Sequence, residues 1–116
     1  MSDALEPEYL EGLRLFNDGL FWEAHELLER VWAPLPKGAD AKAFYQGLIL
    51  LAAAFHHRRR AEAAPDRFSA PALRCYRSSL AKLECLPDRF LGLDLGALRR
   101  DVGPCFEPLA AGAAPS

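Results

Sequence analysis

Apolar residues recur at helical spacing along most of this chain, and turn-forming residues interrupt the pattern at intervals. Tyr9, Leu13 and Phe16 share one side of a first predicted helix, whose opening turn suits Pro7. Asn17-Asp18-Gly19 ends it, because glycine enters the left-handed conformation at little steric cost. A second helix runs from about Leu20 to Ala33 and stops before Pro34 and Pro36. Asp40 can cap a third, which continues to about Arg60 and sets Arg58, Arg59 and Arg60 against its negative end. Pro65 to Pro71 reads as a turn region. A fourth helix carries Leu73, Tyr76, Leu80 and Leu83 at spacings of three and four until Pro87 closes it. Asp94 can cap a last helix through about Val102. Gly103-Pro104 breaks that helix, and residues 103–116 read as an irregular tail that frays from Leu109 onward.

Residue usage agrees with the periodicity. Valine occurs at 31 and 102 and isoleucine only at 49, while leucine and alanine dominate, which favours helices over strands. A chain of 116 residues fits one domain with its own core. The expected fold is therefore all-α, a single-domain bundle of about five helices over residues 1–116. The most apolar run, Gly47 to Phe55, falls well short of the roughly 20 residues that cross a bilayer, so it reads as a buried helix. No segment repeats, which argues against a solenoid.

Charge and cysteine usage narrow the classes further. A formal net charge of −2 gives no general attraction to nucleic acid or to an anionic membrane, so neither is expected as a partner. Cys75, Cys85 and Cys105 form no paired motif, and no signal peptide is visible. Reduced thiols and a cytoplasmic location are the expectation.

The second helix holds the candidate chemistry. On a helical wheel Leu20, Phe21, Ala24, Leu28, Val31 and Trp32 form one apolar arc, and Glu23, Glu26 and Arg30 lie opposite. His25 and Glu29 project one turn apart from the margin of that arc, bracketed by Trp22 and Trp32. A carboxylate removed from water costs several kcal/mol unless something compensates it, so a buried Glu29 would need a shared proton or a metal ion. His56 on the third helix shares a face with Tyr45 and Ile49, and can join the pair if that face meets the second helix. Two imidazoles and one carboxylate suit zinc, iron or manganese and leave positions open for water. The run HELLE misses the H-E-x-x-H signature of zinc peptidases by its second histidine, and Glu26 points to the solvated face.

These residues carry a resemblance. The run Phe16 to Trp32, with His25, Glu29 and Trp32 in a His-x-x-x-Glu-x-x-Trp pattern, resembles the family catalogued as domain of unknown function 309. So does Tyr45-Gln46-Gly47 through His56, and together the likeness covers roughly 10–95. It implies a small all-helical fold and a metal-binding role for the His/Glu pair, and it implies no reaction. After His56 the chain departs from the family with His57-Arg58-Arg59-Arg60.

Two functional readings follow. In one, His25, Glu29 and His56 hold a divalent metal in a site lined by Trp22, Trp32, Gln46 and Tyr45. In the other, the protein is a non-catalytic helical interaction or scaffold module that offers a groove or a homo-oligomeric face. There His25 and Glu29 form a structural hydrogen-bond network.

Overall fold

The computed structural model describes residues 6–110. Five helices follow in order: α1 (Pro7–Asn17), α2 (Phe21–Trp32), α3 (Asp40–Ala61), α4 (Pro65–Leu83) and α5 (Leu95–Ala110). Before α5 lies a two-stranded antiparallel ribbon, β1 (Arg89–Phe90) and β2 (Leu93–Asp94). The all-α, five-helix expectation holds, with this short ribbon added to it.

Local chemistry sets most of the boundaries. Pro7 occupies the opening of α1, and Gly19 turns the chain at φ 81°. Asp94 Oδ1 accepts the Ala97 amide at 2.9 Å, which caps α5 and holds that carboxyl below its usual range. Asp40 does not cap α3. It is the first helical residue, and the cap position falls to Ala39, which offers no side-chain acceptor.

Two expectations about proline are corrected. Pro65–Pro71 is the beginning of α4 rather than a turn, with Pro65 opening the helix and Pro71 inside it. Pro71 removes one backbone bond, to the carbonyl of the exposed residue Arg67, where water can replace it. Likewise α5 does not break at Gly103-Pro104 but runs on to Ala110. Val102, Phe106 and Leu109 are buried on one side of it, whereas Arg100, Pro104 and Pro108 are exposed. Prolines on the wet side of a helix bend it around the core instead of ending it. The rest of the expected tail, 111–116, lies outside the described residues.

The helices enclose two apolar clusters. Tyr9, Leu28, Phe44, Leu48, Leu83 and Leu95 form the first; Leu51, Ala54, Ala72, Val102 and Phe106 form the second. Small residues bring the helices close. Gly47, Ala54 and Ala61 are buried seven apart along α3, and Ala72 and Ser79 seven apart along α4. That spacing is an antiparallel seam with little side-chain bulk in it. Leu73 and Leu80, expected at the core, sit at its margins because the buried line runs through Ala72, Ser79 and Leu83. The Ser79 hydroxyl donates to the Gly47 carbonyl at 2.7 Å across the seam.

The ribbon closes on the other end of the chain. Leu91 and Gly92 have φ of 47° and 79°, a two-residue turn of the kind that twists with its strands. Leucine in that region costs on the order of 1 kcal/mol. The Tyr9 hydroxyl donates to the Leu91 carbonyl at 3.0 Å and fixes the turn. Burial, together with the neighbouring Tyr45, pushes the Tyr9 phenol up to about 12.

Candidate functional site

Ala24 and Leu28 fasten α2 to the bundle, which leaves the next residues along, His25 and Glu29, at the edge of that contact. His25 Nε2 and Glu29 Oε1 lie 2.8 Å apart, a close contact across one helical turn that becomes an ion pair when the imidazole is protonated. The His25 side chain is 17% exposed and Glu29 49%. Glu29 is therefore half in water, and the desolvation that would have demanded a metal is largely absent.

Trp22 covers the histidine. Its ring stacks on His25 with centroids 4.6 Å apart and planes 18° from parallel, yet the residue remains 44% exposed. His56 meets the same indole at 5.0 Å from α3. The row continues through His57, 5.7 Å from His56, to Phe68 on α4, which His57 overlies at 6.2 Å and 13°. Arginines flank it: Arg60 sits 4.5 Å over Phe68, and Arg59 sits 4.7 Å over Phe21 while donating to the Gly19 carbonyl at 2.8 Å. A chain of rings thus crosses α2, α3 and α4. His57 and Phe68 were not anticipated, since nothing in their spacing links one helix to the next.

The remaining candidates fall elsewhere. Trp32 and Gln46 join Glu29, Ile49 and Leu50 around an open hollow of about 180 Å³. Tyr45 lies apart from the histidines, 4% exposed and packed edge-on against Tyr9 and Phe44. Three buried nitrogens have no hydrogen-bond partner among the described residues: Nδ1 of His25, Nδ1 of His57 and Nε1 of Trp32.

Among the described residues no group of three or more His, Cys, Asp or Glu side chains is placed to hold a metal ion. His25 and Glu29 supply two donors, whereas His56 faces the indole. As it stands, the donor set does not fit a closed zinc, iron or manganese site. The cysteines are free, with Cys85 exposed and the Cys75 thiol pushed up by burial.

Both central histidines are held below the ordinary imidazole range. Burial is the main cause for each. Arg60, Arg59 and His25 add to it at His56 against the opposing Glu23, and His56, Arg60, Arg74 and His25 add to it at His57. A histidine with a depressed folded pKa binds fewer protons than in the unfolded chain, so acid favours unfolding. Stability is expected to fall as pH drops between about 7.5 and 5.5, around and below the unfolded histidine value. Denaturant titrations at several pH values would show this, and His57→Phe, which keeps a ring on Phe68, should flatten the slope.

Fold and site together define a small all-helical protein whose histidines and Trp22 form one surface across α2 and α3. Residues 9–65 match the family model described as domain of unknown function (DUF309), and this segment, α1 through α3 to the first residue of α4, belongs to that family. An uncharacterized protein of Aquifex aeolicus (strain VF5) is 37% identical over 95 residues, which make up 81% of this chain. The chain spans only 26% of that relative's length. Among the described residues no helix is long and apolar enough to cross a membrane.

Proposed function

We propose that this protein is a non-catalytic helical interaction module in which α2 presents Trp22 as the anchor of a protein–protein contact. The observation that carries this reading is a tryptophan 44% exposed whose ring is nevertheless stacked flat on His25. A large exposed ring already fixed by its neighbours loses little freedom on binding, which is why tryptophan recurs at the energetic centres of interfaces. Glu29 holds His25, and His25 holds Trp22, so the pair positions the anchor. Glu23 and Glu26 are exposed on the same helix. They favour a partner segment that brings an arginine to these two carboxylates and an apolar side chain to the exposed part of the indole. The alternative in which His25, Glu29 and His56 ligate a metal requires His56 to turn from the Trp22 indole and join the pair.

His25→Ala is expected to destabilise the fold by about 0.5–1.5 kcal/mol through the lost stack on Trp22, since water can take up the half-exposed Glu29 carboxylate. The same variant should bind a short arginine–leucine peptide about tenfold more weakly than the parent protein. Protein purified without an affinity tag should take up no stoichiometric zinc, manganese or ferrous iron. An unchanged melting temperature and unchanged peptide binding, or one equivalent of metal lost on His25→Ala, would remove this reading.

A further inference from the structure

All three lysines of the sequence, Lys37, Lys42 and Lys82, line one open hollow of about 390 Å³. They reach it from separate parts of the chain: Lys37 from the loop after α2, Lys42 from the first turn of α3, and Lys82 from the last turn of α4. Asp40 is the one acidic residue on that lining, so the hollow holds an excess of two positive charges within a protein whose net charge is −2. No ion pair among the described residues engages any of the three. Like charges gathered around one space repel each other, and a dianion placed among them removes that cost.

The walls are partly fixed. Lys42 Nζ donates to the Leu35 carbonyl at 2.8 Å and sits 4.6 Å over the Trp32 ring, so one ammonium is already aimed. Lys37 and Lys82 are exposed and free to close on a ligand. The start of α3, with no side-chain cap, adds its positive end to the same space. Trp32 and Gln46 also line the adjoining hollow, with Ile49 and Leu50 beside them and the Glu29 carboxylate at its rim. The lysine-lined hollow therefore shares its Trp32 and Gln46 wall with a more apolar one.

We propose that this hollow binds a small phosphate monoester, with the dianion among Lys37, Lys42 and Lys82 and the organic body along Trp32 toward Ile49 and Leu50. Lysine serves phosphate as a compact point charge, and two excess positive charges match the doubly ionised monoester better than a single carboxylate. The site lies at the opposite end of α2 from Trp22 and does not depend on the interaction reading above.

Calorimetric titration of the full chain with phenyl phosphate, at ionic strength held constant with sodium chloride, tests the proposal. Saturable binding with a dissociation constant of about 0.1–1 mM is expected from a few half-exposed charge contacts. Lys37→Gln with Lys82→Gln should weaken it about tenfold or more. Both side chains are exposed, so thermal unfolding of the double variant should match the parent, and Arg100→Gln on the exposed side of α5 should leave the affinity unchanged. In an amide-resolved spectrum the Trp32 indole proton should shift and that of Trp22 should not. Absence of saturation, equal affinity in the double variant, or inorganic sulfate binding as tightly as phenyl phosphate would overturn it.

Discussion

Phe106→Ala is expected to destabilise the protein by about 3–5 kcal/mol, although the residue lies beyond a glycine–proline pair that would ordinarily end a helix. Phe106 is fully buried. Its ring stacks on Tyr76 at 4.6 Å and 11°, and meets Phe55 edge-on at 4.9 Å. Truncation removes both contacts and leaves a void among Leu51, Ala54, Ala72 and Val102, none of which is long enough to fill it. Urea denaturation would show the loss as a lower midpoint at unchanged slope. A shift under about 1 kcal/mol would mean that the second half of α5 contributes little to the fold, as an irregular tail would.

Gly47→Val should cost roughly 3 kcal/mol by overfilling the seam between α3 and α4. A Cβ at this position would lie 2.6 Å from Leu83 Cδ2 and 2.7 Å from its Cγ. Leu83 is 1% exposed, so it cannot swing aside without moving α4. Any such movement also strains the buried hydrogen bond from Ser79 to the Gly47 carbonyl. In an exposed helix, replacing glycine by a better helix former gains up to about 1 kcal/mol, so the sign of the measured change separates crowding from propensity. Gly12 faces Leu28 in the same way, since a Cβ there would lie only 2.7 Å from Leu28 Cδ2, so α1 meets α2 by the same device.

How far the sequence reveals this structure depends on the range of the interaction. Boundaries set by adjacent residues are visible in it: the opening at Pro7, the turn at Gly19, the Asp94 cap. So is the His25–Glu29 pair, because residues four apart on a helix touch whatever surrounds them. Pro71 and Pro104 mislead for the opposite reason. Whether a proline ends a helix depends on whether its face is wet, which is decided by packing. The ribbon at 89–94 is too short to show alternation, and leucine rather than asparagine leads its turn. The convergence of Lys37, Lys42 and Lys82 has no spacing signature at all, since it exists only once α4 has folded back along α3.

The bond from Tyr9 to Leu91 joins residues 82 apart in sequence. Closing so long a loop in an unfolded chain costs roughly 4 kcal/mol of entropy before any contact repays it. The helix hairpins α1–α2, α2–α3 and α3–α4 each need only short loops, and once they stand α1 and the ribbon are already close. Assembly is therefore ordered, with local hairpins first and the tyrosine clasp last, so that the clasp governs how fast the finished protein opens rather than how fast it forms.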